Sequence, residues 1–218
     1  MSHKFEAFLF DLDGTLVDSN GVVDRVMEAW CQQNGVSYSE IKDSNYGSRS
    51  VDTVAAVAPH IDAVQAAADI EAGERAELVD LREIEGARSF LSQVPQSRWA
   101  IATSSYLITA KAKLRVARIP IPSVLVAADG VIEGKPHPEA YMKASMELGY
   151  RPEDCLVFED SETGVRSALN AGCRVFVVGS SLVMNESRIV GRSASFSELQ
   201  LLVDEDGRLE IVLDSTLV

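Results

Sequence analysis

The sequence lacks the features of a disulfide-stabilised, zinc-binding or membrane-spanning protein. Its three cysteines (Cys31, Cys155 and Cys173) are scattered and form no CxxC or CxH pair, which argues against a disulfide framework or a structural zinc site. No stretch approaches the roughly 20 apolar residues that cross a bilayer, and no apolar run near Met1 leads to a small-residue cleavage site. We therefore expect a cytoplasmic protein without a membrane partner.

Positive charge is also scarce. The chain has 20 Lys and Arg against 33 Asp and Glu, which gives a formal net charge of −13. A surface this acidic repels a polyphosphate backbone, so we expect no nucleic-acid partner. An anionic small molecule can still bind where a few cations and backbone N–H groups outweigh the overall field. Hydrophobic residues make up 46% of the 218 residues, so the chain can bury one large core, or a core with a smaller unit. We expect a monomer.

Short apolar runs alternate with helical segments along most of the chain. This alternation predicts an α/β fold, with a parallel sheet covered by helices on both faces. In such sheets ligands bind beyond the carboxyl ends of the strands. The predicted strands are Phe5–Phe10, Trp99–Thr103, Ser123–Ala127, Cys155–Phe158 and Arg174–Val178.

One long segment departs from this alternation. Between about Val17 and Arg82 the pattern is helical and contains no convincing strand. We therefore predict two units, a core formed by residues 1–16 and 83–218 and a small all-helical insert formed by residues 17–82. Near the C-terminus, apolar runs on both sides of Asp204–Gly207 predict a β-hairpin.

Two aspartates follow the first predicted strand. Asp11 and Asp13 are two residues apart, so an extended chain presents both on one side while Leu12 points away. Two such carboxylates repel each other unless a cation lies between them or one stays protonated. Gly14 then allows a sharp turn. A solvated turn that closes the strand is the alternative interpretation of this motif alone.

Polar residues also follow two later strands and occupy one loop. Thr103 and Ser104 could bind phosphate oxygens, or cap the next helix. Lys135, between Gly134 and Pro136, could neutralise an aspartate and a phosphate, or remain solvated. Asp160 could bind Mg²⁺ together with Asp11 and the Asp13 carbonyl, and Glu159 could bind it directly or through water. Alternatively, these acids lie at the N-terminus of a helix and interact with its dipole.

In this order the four elements resemble the four motifs of the haloacid dehalogenase-like hydrolase superfamily, over nearly the whole chain. The resemblance implies a Rossmann-like core with a helical cap, in which Asp11 is a nucleophile that forms an aspartyl-phosphate. It also implies that Asp13 is the general acid and base and that Lys135 offsets phosphoryl charge.

The same resemblance implies that Thr103 and the backbone N–H groups of Leu12 and Ser104 bind the phosphoryl oxygens. Mg²⁺ is the implied cofactor, with Asp11, Asp13, Asp160 and Glu159 as its expected ligands. Members of the superfamily that displace halide need no acid two residues after the nucleophile. Asp13 therefore favours phosphoryl transfer.

The expected substrate is a small phosphomonoester selected by the cap. Gly47 and Arg49, in the loop 45–49 that begins with Asn45 and Tyr46, are the candidate substrate contacts; a solvated Arg49 is the alternative. Related phosphoglucomutases carry a histidine in the segment that enters the cap, and none occurs here in 16–34. This absence favours a phosphatase over a mutase. The acidic chain, the helical cap and the terminal hairpin resemble bacterial sugar phosphatases, which implies a sugar or sugar-alcohol phosphate as substrate. A β-phosphoglucomutase-like phosphomutase and a non-hydrolytic phosphate sensor are the alternatives.

Overall fold

The computed structural model describes residues 3–44 and 47–213, and the side chains of all of these except 42–44 and 80. The strands are β1 (Ala7–Phe10), β2 (Val17–Asp18), β3 (Arg82–Glu83), β4 (Trp99–Ala102), β5 (Leu125–Val126), β6 (Cys155–Glu159), β7 (Arg174–Val178), β8 (Ile189–Ser193), β9 (Leu199–Val203) and β10 (Leu209–Leu213). The α-helices are α1 (Asn20–Asn34), α2 (Tyr38–Ser44), α3 (Ser50–Val57), α4 (Ala63–Ala76), α5 (Ala87–Leu91), α6 (Leu107–Val116), α7 (Glu139–Leu148) and α8 (Glu162–Ala171).

The core is a six-stranded parallel sheet in the order β5-β4-β1-β6-β7-β8. Phe10 at the end of β1 is level with Ile101 on β4 and Phe158 on β6. Because the strands are parallel, the segments that follow β1, β4 and β6 leave the sheet at the same edge. The predicted fold class is confirmed.

Alternate residues of the strands enter two separate hydrophobic clusters. Phe8 and Phe10 pack on one face with α5, α6 and the C-terminal hairpin, while Ala7 and Leu9 pack on the other with α7 and α8. The rings of Phe10 and Phe158 stack with centroids 4.7 Å apart. This alternation explains why the central strands are continuous apolar runs, since both faces are buried.

The insert leaves and rejoins the core through a short two-stranded ribbon. Val17 pairs with Glu83, and Asp18 pairs with Arg82, in antiparallel register. Helices α1 to α4 lie between these strands, and α4 packs on α1, α3 and the core helix α6. The prediction of no strand in this segment was wrong, because two-residue strands carry no usable periodicity. Boundaries of 17–82 for the insert stay a prediction.

Other boundaries differ from the sequence prediction at strand ends. Strand β1 begins at Ala7, and Phe5 forms an isolated bridge to Leu209 instead. Strand β5 contains two of the five predicted residues, and β8 was not predicted. The predicted C-terminal hairpin is confirmed as β9 and β10. No helix of the described residues is both long and apolar enough to cross a membrane.

Candidate active site

The candidate site lies where three neighbouring strands end. Asp11 follows β1, Thr103 follows β4 and Asp160 follows β6, and β1 lies between the other two strands. The backbone N–H of Asp11 continues the ladder by donating to the Phe158 carbonyl at 3.0 Å. The side chains of Asp11 and Asp160 are both buried. The sheet therefore holds the first and fourth motifs side by side.

Lys135 reaches this edge from the loop before α7. Its Nζ lies 2.5 Å from Asp11 Oδ1 and 2.7 Å from Glu159 Oε1. The hydroxyl of Tyr141 completes the group, 3.0 Å from Lys135 Nζ and 2.9 Å from Glu159 Oε1. Burial alone would lower the pKa of Lys135, but the Asp11 and Glu159 carboxylates outweigh it and raise the pKa. Lys135 is therefore a fixed cation beside Asp11.

Three buried carboxylates form a group that fits a metal ion. One oxygen from each of Asp11, Glu159 and Asp160 lies within 4.8 Å of the others. Burial, followed by the charge of Glu159, raises the pKa of Asp160 to about 7. Burial also raises the pKa of Asp11. Lys135 alone would lower this pKa, but burial and the charges of the neighbouring acids outweigh Lys135. A hard divalent cation would offset this repulsion, and carboxylate oxygens are its preferred ligands.

The three acids differ in how far their oxygens are already engaged. Glu159 Oε2 accepts bonds from the backbone N–H groups of Asp160 and Ser161, and Oε1 accepts from Lys135. Among the described residues, the Asp160 carboxylate accepts two long hydrogen bonds, from Thr15 Oγ1 at 3.3 Å and from Asn20 Nδ2 at 3.4 Å. Asp11 and Asp160 are thus better placed than Glu159 to bind a cation directly.

Gly14 permits this close arrangement. Its φ is +80°, and a Cβ at this position would overlap the Asp160 carboxylate and the Asn20 amide. A glycine is therefore required both by the backbone conformation and by the space.

Asp13 lies in a separate hydrogen-bonded cluster. Its Oδ1 accepts from Ser19 Oγ at 2.5 Å and from Lys113 Nζ at 2.6 Å, and its Oδ2 accepts from Ser105 Oγ at 2.9 Å. Burial alone would raise the pKa of Asp13, but Lys113 and these hydrogen bonds outweigh it and lower the pKa. Asp13 is therefore ionised in this arrangement.

Sequence reasoning missed Lys113 and Glu74. Lys113 is fully buried on α6, and its Nζ also forms an ion pair with Glu74 Oε2 of the insert at 2.6 Å. With Lys111 and Arg115 on either side, Lys113 looks like one of several solvated cations. A signal was available, because Lys113 falls on the apolar face of α6 with Ala110.

A cavity lies between the core acids and the insert, and the residues predicted to bind the phosphoryl group lie at or near it. Ser104 and Gly47 both line it, and Ser104 Oγ donates to the Gly47 carbonyl at 2.7 Å, which joins core to insert. Thr103 is buried, and its Oγ1 accepts from the Ser105 N–H at 3.1 Å. Leu12 is also buried. Neither Thr103 nor Leu12 is among the described residues that line the cavity.

Arg49 lies away from the cavity. Its guanidinium forms two bonds to Asp52 and three to backbone carbonyls of the core loop 128–132, which occupy all five of its N–H donors. A substrate contact by Arg49 stays a prediction, and it would require some of these bonds to break. Asn45 and Tyr46 lie outside the described residues.

The lining of this cavity includes the core acids and residues of the insert. Its apolar lining comes from α1 and α2 and includes Val23, Met27 and Ile41. None of the described lining residues is a lysine, arginine or histidine. The acidic lining residues are Asp11, Asp13, Asp24, Glu71, Glu74 and Asp160.

The sequence matches the model of the haloacid dehalogenase-like hydrolase family over residues 5–172. The chain belongs to this family. It is 37% identical over 184 residues to Hexitol phosphatase A of Escherichia coli, covering 80% of this chain and 83% of that protein. It is 26% identical over 237 residues to Glycerol-1-phosphate phosphohydrolase 2 of Saccharomyces cerevisiae, covering 94% and 93% of the two chains.

A solved structure also has a similar fold. CbbY from Rhodobacter sphaeroides in complex with phosphate superposes with a TM-score of 0.73 and 25% identity, covering 89% of this chain and 96% of CbbY. The resemblance inferred from the four motifs is therefore confirmed, and so is the expectation of a hydrolytic enzyme. Members of this family generally depend on a metal, which agrees with the buried acidic group.

Proposed function

We propose that the protein is a magnesium-dependent phosphatase of a small phosphomonoester. The observation that carries this proposal is the placement of Lys135 against Asp11, with Asp160 adjacent and Asp13 lining the same cavity. A non-hydrolytic sensor has no need for a general acid and base two residues after Asp11. Phosphate esters resist hydrolysis strongly, so positioning, charge compensation and proton transfer must act together.

In the first step an oxygen of Asp11 forms a bond to phosphorus while the ester P–O bond breaks. Lys135 offsets negative charge as Asp11 approaches the anionic phosphoryl group. Asp13, which is ionised in the structure, must first gain a proton, and it then gives this proton to the leaving oxygen. The family resemblance implies that Thr103 and the N–H groups of Leu12 and Ser104 bind the phosphoryl oxygens.

In the second step a water oxygen forms a bond to phosphorus, the bond to Asp11 breaks, and phosphate leaves. Asp13 takes the proton from this water. The ionised Asp13 of this structure is in the form that the second step needs. Asp11, Asp160 and the Asp13 carbonyl would hold Mg²⁺, with Glu159 reached through water. When bound, Mg²⁺ supplies Lewis-acid charge compensation for the phosphoryl oxygens.

The substrate we propose is a sugar or sugar-alcohol phosphate, because the relatives described above are named for hexitol and glycerol phosphates. A panel of phosphorylated metabolites, scored by kcat/KM, tests this choice. Isomer formation from β-glucose 1-phosphate with its 1,6-bisphosphate, in place of free phosphate release, would identify a phosphomutase. A cytoplasmic location and a monomeric state stay predictions.

Removing divalent metal should abolish the activity. We expect phosphate release from p-nitrophenyl phosphate to stop in EDTA and to return with Mg²⁺, because Asp11 and Asp160 then regain a compensating cation. Mg²⁺ should also raise the Tm, since it binds the assembled acids of the native state and not the unfolded chain. The Tm shift should be lost in Asp160→Asn. Full activity in EDTA would contradict the metal assignment.

Replacing Asp13 by asparagine should affect poor leaving groups most. An alkyl alkoxide needs a proton as it leaves, whereas p-nitrophenolate does not. We expect phosphoenzyme formation from glycerol 1-phosphate to slow by about 10²- to 10⁴-fold, and formation from p-nitrophenyl phosphate to slow far less. Single-turnover kinetics measure the rate of phosphoenzyme formation from each substrate. Equal losses for the two substrates would remove Asp13 from the role of acid.

A further inference from the structure

Tyr141 is a buried residue that the proposed reaction does not use. It lies on α7, and its side chain belongs to the hydrophobic cluster that also contains Leu9 of β1. Its hydroxyl reaches the active site from this cluster, 3.0 Å from Lys135 Nζ and 2.9 Å from Glu159 Oε1. A buried hydroxyl needs hydrogen-bond partners, and both partners of this one are charged groups beside Asp11.

The direction of each hydrogen bond follows from the chemistry of the groups. Lys135 has three N–H donors and no acceptor, and a carboxylate can only accept. The Tyr141 oxygen therefore accepts from Lys135, and its O–H donates to Glu159. Asp11 Oδ1 and Glu159 Oε1 are the other two acceptors of the Lys135 ammonium. The three N–H bonds are thus matched by two anionic groups and one neutral group.

Tyr141 is held more rigidly than the lysine that it contacts. Lys135 lies on the loop before α7 and carries its charge on a flexible four-carbon chain. Helix α7 packs on β1 and β4, so the ring of Tyr141 is fixed by the core. The ring centroid is also 4.8 Å from Lys135 Nζ, within the range of a cation–π contact. The hydroxyl therefore fixes Lys135 relative to the sheet that positions Asp11.

The proposed reaction weakens one of the three contacts of Lys135. When Asp11 becomes an aspartyl-phosphate, its carboxylate loses its negative charge. Its attraction for Lys135 then falls, and Glu159 and Tyr141 remain as the two fixed acceptors. An ammonium held by one acceptor can turn about that contact, whereas two acceptors fix its direction. Tyr141 therefore matters most in the second step, when water attacks phosphorus.

We propose that Tyr141 is a positioning residue that holds Lys135 in place while the aspartyl-phosphate on Asp11 is hydrolysed. Tyr141 is not among the described residues that line the cavity, so it acts through Lys135 and not on the substrate. This inference rests on the proposed phosphatase function.

Tyr141→Phe tests this role, because it removes the hydroxyl and keeps the ring. At saturating p-nitrophenyl phosphate with Mg²⁺, acid-quenched samples give the concentration of phosphoenzyme. The steady-state velocity divided by this concentration is the rate constant of the second step. We expect this rate constant to fall by about 10-fold in Tyr141→Phe, because a hydrogen bond to a charged group is lost. Tyr150→Phe removes a hydroxyl from a partly buried tyrosine packed against the same cluster, and this matched control should leave the rate constant unchanged.

The second-step rate constant separates positioning from a structural role. Velocity and phosphoenzyme concentration fall together when part of the enzyme unfolds, so their ratio reports only the native enzyme. A rate constant in Tyr141→Phe equal to that of the wild type overturns the inference. An equal fall in Tyr150→Phe overturns it as well, because the effect is then not specific to the hydroxyl beside Lys135.

Failure of the proposed function has a different signature. Glycerol 1-phosphate and p-nitrophenyl phosphate pass through the same phosphoenzyme, so the wild type should hydrolyse it with one rate constant from either ester. Absence of phosphoenzyme and of phosphate release from both esters in the wild type overturns the phosphatase proposal itself, and the role of Tyr141 with it.

Discussion

Asp11→Asn should reduce phosphate release by about a thousandfold or more, because the amide cannot act as the nucleophile. The substitution preserves the size and shape of the side chain, and Lys135 keeps its ion pair with Glu159. We therefore expect the variant to fold. Release of p-nitrophenol with Mg²⁺ measures the loss, and urea unfolding checks the stability. Asp69→Asn serves as the control for removal of one acid. Activity near that of the wild type in Asp11→Asn would end the nucleophile assignment.

Lys113→Met should produce the largest loss of stability. Lys113 is the cation shared by Asp13 and Glu74; Lys113 and Glu74 are buried, and Asp13 is partly buried. Removing Lys113 leaves the buried Glu74 and the partly buried Asp13 without their shared cation, which costs about 3–5 kcal/mol of the free energy of unfolding. Chemical denaturation followed by circular dichroism gives this quantity.

Two further variants make the Lys113 result specific. Lys111→Met removes a lysine two positions away on the same helix and should change the free energy of unfolding by less than about 0.5 kcal/mol. Adding Glu74→Leu to Lys113→Met should restore part of the loss, because one of the two uncompensated carboxylates is then absent. A free energy of unfolding for Lys113→Met within experimental error of the wild type would contradict the ion-pair network.

The sequence predicts the placement of residues at strand ends well, because local structure positions those residues. Asp11 and Asp160 each follow a continuous apolar run, and parallel strands bring such ends to one edge. The convergence of the first and fourth motifs therefore follows from the strand pattern and the sheet order. Lys135 is suggested by its place between Gly134 and Pro136, but its loop carries no periodic signal that would locate it beside Asp11.

Contacts between side chains that are distant in the chain could not be predicted from the sequence. Glu74 and Lys113 are distant in the chain, and their ion pair depends on how α4 packs against α6. Tyr141 reads as an ordinary core aromatic, yet its hydroxyl bonds Lys135. The bonds from Arg49 to carbonyls of the loop 128–132 likewise join residues that are distant in the chain. Such pairings require tertiary structure.

Several polar contacts join the insert to the core, and three of them involve residues described above. These are Ser104 with Gly47, Lys113 with Glu74, and Arg49 with the core loop. The second of them also reaches Asp13, the proposed acid and base. The position of the insert and the charge around Asp13 are therefore physically linked, which places substrate selection next to proton transfer.

Chemical trapping of the intermediate tests the central claim most directly. Asp13→Asn enzyme is mixed with p-nitrophenyl phosphate and Mg²⁺, quenched in acid and reduced with borohydride, which converts an aspartyl-phosphate to homoserine. We predict that peptide mass mapping finds homoserine at position 11 and at no other aspartate. Homoserine at another position, or its absence from an enzyme that still releases p-nitrophenol, would contradict a covalent intermediate on Asp11.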